Sequence, residues 1–418
     1  MNHSLVNVVG ALAMMTVRRM QYRLLILIGA TVTMMFISIY QYSWSLFSTG
    51  LRRVFNWDKP TVDLTFTVFA YLSTLTQPFS GYVADRVSPR LIAVIGALLT
   101  GTGLMLCSTV SSPWQLYLYY GIGSLGVGFL YGVSVAVVIK WFPEKRGLAS
   151  GIVASGFGSG TALFNVLIDQ AIENLGVLVV FLYIGVIMLS ILLPITAFYR
   201  YPAYSTSGSE VNYAKNTVDT GDRTWREMVM TYQWWFIYAS FTAMTAVHLL
   251  FGGHVKSIAL ENGIPDTIMY TTLTVFPIAN GISRVFGGWV SDRIGRQKSM
   301  TMFYALSGVS LVLLALTARN PVAFTSFTVL TMLFAGPSLA LTPAIISDFY
   351  GSRYLTVNYG LTYTAKSWGG LLSGYITALI VSVFGAYTYS LIGIGVSALI
   401  ASLIVHPQVL RKPVRRSS

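Results

Sequence analysis

Gly81-Tyr82-Val83-Ala84-Asp85-Arg86-Val87-Ser88 recurs 207 residues downstream as Gly288-Trp289-Val290-Ser291-Asp292-Arg293-Ile294-Gly295. Each copy closes a long apolar stretch and opens a short polar one. A glycine set four residues before an Asp-Arg pair, present twice at the same point of the pattern, divides the chain into two corresponding halves. Between such punctuation marks the apolar runs are about 20 residues long, the length that spans a bilayer as a helix.

Composition agrees. Of 418 residues 54% are hydrophobic and 10% charged, with a mean hydropathy of +0.66. A soluble domain carries about 25% charged residues, so the expected fold class is an all-α, polytopic membrane protein with the lipid bilayer as a partner. The net charge of +13 lies in short loops, the pattern that orients membrane helices. No basic aromatic stripe or recognition helix is available to read bases, so no nucleic-acid partner is expected. The single Cys107 excludes an internal disulfide.

The pattern predicts twelve transmembrane helices, near 24–47, 61–84, 91–110, 113–139, 147–171, 175–199, 231–256, 267–290, 299–318, 321–347, 356–383 and 386–406. They sort into an N-terminal tail (1–23), a first six-helix half (24–199), a polar linker (200–230), a second six-helix half (231–406) and a basic tail (407–418). Arg18, Arg19 and Arg23 before LLILIGA look like the start of a signal peptide. The long apolar continuation, with no clear cleavage site, favours an uncleaved first helix. With both termini placed in the cytoplasm, 20 of the 27 lysines and arginines fall on that side, five fall outside and two are buried. A prokaryotic inner membrane and a monomer are expected.

The two buried cations are Arg284, in TVFPIANGISRVFGGWV, and Lys366, in NYGLTYTAKSWGGLLSG. Neither has an Asp or Glu within a helical turn. A charge at the bilayer centre costs at least about 2.5–3.5 kcal/mol, so two unpaired cations point to an anion from outside the chain. Arg284 precedes Asp292 by eight residues, about 12 Å along a helix, and Lys366 lies about 15 Å into the eleventh helix. Both depths approach the midplane of a bilayer. Asn280 shares a helical face with Arg284, and Tyr363 lies one turn from Lys366. The alternatives are an arginine held by backbone carbonyls and a lysine that snorkels or is neutral. Arginine offers a carboxylate a planar fork, whereas lysine is a point charge that burial can neutralise.

The doubled loop GYVADRVSPR and GWVSDRIGRQK resembles the signature loop of the major facilitator superfamily; the first copy departs at Ser88-Pro89-Arg90. Gln41-Tyr42-Ser43-Trp44, Trp141-Phe142-Pro143-Glu144-Lys145-Arg146-Gly147-Leu148-Ala149-Ser150-Gly151, and Asn358-Tyr359-Gly360 through Ala365-Lys366 resemble the oxalate/formate antiporter family, kin to the monocarboxylate transporters. That resemblance covers the chain outside its central linker and tail, and implies the two-half facilitator fold. It also implies that Arg284 and Lys366 bind substrate carboxylates and that Gln41, Tyr42 and Tyr131 face the cavity. Phe157 stands where the family's oxalate carrier has a tyrosine, and Tyr363 where it has a tryptophan. Ala335 and Leu339 replace two aromatics in helix ten, so a roomier cavity is expected, for a cargo such as lactate or pyruvate rather than oxalate. Asp85, Arg86, Asp292, Arg293 and Arg296 are expected to form a gate, the aspartates accepting from arginines or helix N-termini across the halves.

Other motifs carry less. Gly121-Ile122-Gly123-Ser124-Leu125-Gly126 satisfies a dinucleotide fingerprint but lies inside an apolar helix with no preceding strand. Its glycines read as close helix packing. His248 and Asp63 are candidates for a proton or cavity role, an interhelical hydrogen bond being the plainer reading of His248. No nucleophile–base pair, Walker A motif or metal cluster is present, so neither an enzyme nor a cofactor is expected. The sequence therefore predicts an alternating-access carrier of small organic carboxylates, by exchange, with proton-coupled symport and a non-transporting carboxylate sensor as alternatives.

Overall fold

The computed structural model describes residues 3–202 and 222–413, without the side chains of residues 3–19, 45, 59, 60, 63, 159, 161–163, 166 and 378. Most of the expected linker, the end of the basic tail and the Asp63 side chain therefore lie outside the described residues.

In the first half, α1 (His3–Ile37), α2 (Ile39–Tyr42) and α3 (Trp44–Phe55) form one run broken at Ser38 and Ser43. The Ser38 hydroxyl donates to the Met35 carbonyl at 2.6 Å, the local competition by which serine loosens a helix. After Asn56, in the left-handed region at φ 55°, Asp58 caps α4 (Lys59–Leu75) through Thr61. α5 (Gln77–Arg86) is offset from α4 at Thr76, because Pro78 has no N–H to continue the ladder. α6 (Pro89–Cys107) and α7 (Pro113–Trp141) each open with a proline in the first turn, where no N–H is needed. α8 (Arg146–Leu175) stops at Gly176, φ 83°, and α9 (Val177–Ala197) completes the half.

The second half starts with a single turn, α10 (Trp225–Val229), held by a Thr224/Glu227 capping box. α11 (Tyr232–Glu261), α12 (Asp266–Ile294) and α13 (Arg296–Thr317) follow, the last two hinged at Gly295. α14 (Pro321–Ala335) and α15 (Pro337–Tyr350) are offset at Gly336-Pro337. The next run comprises α16 (Leu355–Tyr363), α17 (Ala365–Leu371), a π-helical turn Leu372–Ile376 and α18 (Thr377–Phe384). α19 (Thr388–Ile404) is last.

All twelve expected segments are helical over most of their length. Eight stretches among the described residues are long and apolar enough by composition to cross a membrane; prolines, serines and glycines break or dilute the others. The predicted bounds are shortest at the first span, where helix continues from His3, and at α11 and α12, which extend to Glu261 and Ile294.

Within the halves α6 packs on α7 and α9, and α13 on α14 and α19. Between them the main contacts are α8 with α12 and α5 with α16. Both depend on the repeat glycine. A Cβ on Gly81 would sit 2.5 Å from the Thr356 carbonyl oxygen, and one on Gly288 2.1 Å from that of Gly147. Backbones can approach this closely only at glycine.

Candidate functional site

The central cluster forms at the α8–α12 contact, toward which α17 sends the Lys366 side chain. Arg284, on α12, is 1% exposed. Its Nη1 donates across the halves to the Ala154 carbonyl of α8 at 2.7 Å, and its Nη2 to Asn280 Oδ1 at 2.8 Å. Its Nε–H meets no protein acceptor. The guanidinium lies flat against Gly158, where a Cβ would come within 3.1 Å of Cζ. Lys366 reaches the same turn of α8, its Nζ 6.0 Å from the Phe157 ring centroid and 5.5 Å from that of Tyr363. It donates to Gln41 Oε1 at 3.0 Å and to the Tyr363 hydroxyl at 3.4 Å. The two cations thus flank neighbouring residues, Phe157 and Gly158. Neither makes an ion pair with a carboxylate among the described residues.

Aromatic rings wall the cluster. Tyr131 packs on Phe157 at 5.2 Å and on Tyr363 at 4.7 Å, and Tyr42 on Phe157 at 5.6 Å. Tyr42 is 38% exposed whereas Tyr131 and Tyr363 are buried, so the ring wall opens on the Tyr42 side. The expected cavity residues Gln41, Tyr42, Tyr131, Phe157, Asn280, Tyr363, Arg284 and Lys366 are therefore gathered in one place. Ala335 and Leu339 are buried at the α14–α15 offset.

His248 belongs to a chain of hydrogen bonds behind Arg284. Its Nδ1 lies 2.8 Å from the Met244 carbonyl and its Nε2 3.2 Å from Asn280 Nδ2. A carbonyl only accepts, so Nδ1 carries the proton and Nε2 accepts from the Asn280 amide. Asn280 also donates to the Met332 carbonyl at 2.9 Å. With its amide nitrogen held by two acceptors, Asn280 turns Oδ1 toward Arg284 and fixes the fork.

A second constellation lies at the basic end, about 12 Å away along α12. The Asp85 carboxylate accepts from Lys140 Nζ (2.8 Å), the Thr356 hydroxyl (2.7 Å), the Val357 amide (3.0 Å) and the Tyr201 hydroxyl (3.1 Å). Thr356 and Val357 open α16, so a first-half aspartate caps a second-half helix. The second copy mirrors this: Asp292 accepts from the Gly147 and Leu148 amides at 3.1 and 2.9 Å, at the start of α8. Both carboxylates sit where orphan N–H groups and the helix dipole favour an anion. Asp292 also pairs with Arg296, and Asp348 bridges Arg146 (2.7 Å) and Arg296 (3.1 Å) between the halves.

Arg86 and Arg293 are elsewhere. Arg86 stacks on Tyr82 at 4.4 Å and Arg293 on Trp289 at 3.9 Å, with no ion pair among the described residues. One step along a helix rotates a side chain by about 100°, so an Arg next to either Asp faces away from that aspartate's contacts. The sequence pattern did not point to Lys140, Arg146, Tyr201, Asp348, Thr356 or Gly158. Arg146 entered only as part of the Trp141–Gly151 motif, and Lys140, a lysine inside the apolar run before Trp141, was a signal left unread. Thr356 and Gly158 have no signature of their own.

A family model described as Major Facilitator Superfamily matches residues 26–255 and 253–417. The chain is 30% identical to the oxalate:formate antiporter of Oxalobacter formigenes, over 88% of this chain and 87% of that protein. It is 24% identical to monocarboxylate transporter 12-B of Danio rerio, over 84% and 77%. Among solved structures, the proton:xylose symporter XylE aligns with a TM-score of 0.75 at 14% identity, over 94% of this chain and 96% of that one. FucP in the outward conformation aligns at 0.71 and 11% identity, over 91% and 97%.

Proposed function

The chain belongs to the major facilitator superfamily, within its oxalate/formate antiporter family, and on that premise we propose that it exchanges small organic carboxylate anions by alternating access. It is an integral membrane protein, and its superfamily implies a small-molecule substrate. The observation that carries the reading is the convergence of Arg284 and Lys366 on Phe157-Gly158 with no carboxylate between them among the described residues. Arg284 supplies the fork for a carboxylate and Lys366 a second point charge. The aromatic wall of Tyr42, Tyr131, Phe157 and Tyr363 supplies shape. A cation that gives up water on closure is disfavoured there until an anion neutralises it, so the loaded carrier occludes more readily than the empty one. Exchange follows from that difference. The Asp85 and Asp292 contacts act as the cytoplasmic gate, with both termini on that side.

A second reading, proton-coupled symport of a monocarboxylate, is favoured by one observation. Lys366 rests on the neutral Gln41 and Tyr363, so a proton leaving it strands no carboxylate. Uptake of labelled lactate, pyruvate, formate and oxalate into proteoliposomes, with and without internal anion and at two imposed pH gradients, separates the readings. Uptake that requires internal carboxylate establishes exchange, and gradient-driven uptake into empty vesicles establishes symport. If all four cargoes fail, or Arg284→Ala transports normally, the carboxylate site is refuted and a sensor or another cargo must be sought.

A further inference from the structure

A separate cleft of about 670 Å³ opens at the basic end between α5, α10 and α16, its lining including Phe79, Tyr82, Arg86, Trp225, Arg226 and Leu361. Its residues divide by depth. Arg86 and Arg226 are at the rim, each laid on an aromatic ring, Tyr82 at 4.4 Å and Trp225 at 5.3 Å. Phe79 and Leu361 lie seven and six residues into their helices from the rim, about 9–10.5 Å deeper. Phe79 is 65% exposed within a membrane helix and Trp225 is 36% exposed, so the cleft faces the hydrocarbon side as well as the interface. Asp85, the carboxylate at its inner wall, is turned to Lys140, Thr356, Val357 and Tyr201. Neither rim arginine has an ion pair among the described residues. A molecule with an anionic head at the level of two arginines and apolar chains below them complements the arginine rim and the apolar depth of the cleft.

We infer that this cleft binds one anionic phospholipid, phosphate on Arg86 and Arg226 and acyl chain along Phe79 and Leu361, as a wedge between the two halves. The site is distinct from the central cluster. Because α5 and α16 form both the cleft and the Asp85 gate contact, the lipid fits while those helices are apposed and holds the gate side closed. A soluble phosphate would use only the rim. The acyl-lined depth makes the lipid the occupant.

The test is lipid retention by the purified full chain. Protein reconstituted in mixed phosphatidylglycerol and phosphatidylcholine is extracted and its bound lipids weighed by native mass spectrometry. Each interfacial arginine contributes about fivefold to binding of an acidic lipid, so the pair should give about 30-fold preference for the glycerol lipid. Arg86→Gln with Arg226→Gln should abolish the preference, and Arg86→Lys with Arg226→Lys should keep most of it, which separates charge loss from misfolding. Arg293→Gln, the corresponding position of the second copy, should leave it intact. The proposal is overturned if the glutamine pair retains the preference, if the lysine pair loses it, or if Arg293→Gln removes as much. It is also overturned if soluble glycerol phosphate displaces the lipid at equal concentration, since the acyl contacts would then contribute nothing.

Discussion

Asp85→Asn should open the basic end of the protein more than any other single neutralisation. The Asp85 and Lys140 side chains are 1% and 2% exposed, so their ion pair is fully desolvated. Removing one member of such a pair costs about 3–5 kcal/mol, mostly because the surviving charge stays buried. Part is returned here. Lys140 keeps the Arg353 carbonyl at 3.2 Å and the face of Tyr201 at 3.5 Å, and a desolvated cation–π contact is worth up to about 2 kcal/mol. Asp85 and Lys140 both belong to the first half, so what falls on the closed arrangement is the weakening of the two charge-assisted bonds across the halves, to Thr356 and Val357, about 2–3 kcal/mol in total. That is a shift of about 30- to 150-fold in the ratio of closed to open forms. Spin labels at the exposed positions 90 and 298, one in each half, would report it by pulsed EPR: one short distance in the parent, and a longer population in Asp85→Asn. Asp292→Asn should shift the balance less, since Asp292 and Arg296 are 13% and 14% exposed and solvent relieves the lost charge. An unchanged distribution in Asp85→Asn, or a larger effect from Asp292, would refute the view that these carboxylates hold the halves together.

Three further outcomes are expected. Gly288→Ala places a methyl group 2.1 Å from the Gly147 carbonyl oxygen and should lower the thermal midpoint in detergent, whereas Gly252→Ala on α11, with nothing within 4 Å, should raise stability by about 0.5–1 kcal/mol. Gly158→Ala pushes into the Arg284 guanidinium at 3.1 Å and should weaken cargo half-saturation about tenfold with little change in expression, while Asn280→Leu, which removes the Oδ1 acceptor, should weaken it by a similar factor, about 1.5 kcal/mol. Burial pushes the Tyr201 phenol well above its ordinary range, with the Asp85 carboxylate adding to the rise; the folded form favours the protonated phenol, so the stability difference between the parent and Tyr201→Phe should stay constant below about pH 10 and shrink above it as the unfolded phenol ionises.

What the sequence disclosed and what it hid divide along physical lines. Arg284 and Lys366 were visible because a charge in an apolar run is expensive wherever the chain folds. Asp85 and Asp292 were visible because they are repeated. Their acceptor role toward helix N-termini was also open to inference, since an unpaired carboxylate at a helix-end loop seeks N–H groups. The actual donors were hidden. Thr356, Val357, Gly147 and Leu148 contribute backbone amides or a hydroxyl, and a backbone amide has no residue-type signature. Arg86 and Arg293 looked like gate residues from their adjacency to the aspartates, yet helical rotation sends them to Tyr82 and Trp289. The offsets at Thr76 and Gly336 were marked by Pro78 and Pro337. The π-helical turn at Leu372–Ile376 was marked by nothing.

On the proposed reading, the positions of the two constellations relative to each other give cargo and gate a path of communication. Arg284 and Asp292 stand on one uninterrupted helix, α12, and Arg284 reaches α8 through Ala154 while Asp292 caps the start of that same α8. The two helices are thus clamped to each other at two heights, one contact at the proposed cargo site and the other at the proposed gate. On the opposite pair the geometry differs. Lys366 is on α17, whereas the Asp85 contacts are on α16, and Thr364 interrupts the helix between them. An anion pulling on Arg284 is therefore transmitted to Asp292 along a rigid rod, but a pull on Lys366 meets a joint before Thr356. Shortening or neutralising Lys366 should accordingly change cargo affinity with little effect on the gate distance, while the same treatment of Arg284 should change both. The spin-label pair at positions 90 and 298 reads this directly: equal responses to Lys366→Gln and Arg284→Gln would show that the joint at Thr364 is as stiff as the unbroken helix, and the asymmetry would fall.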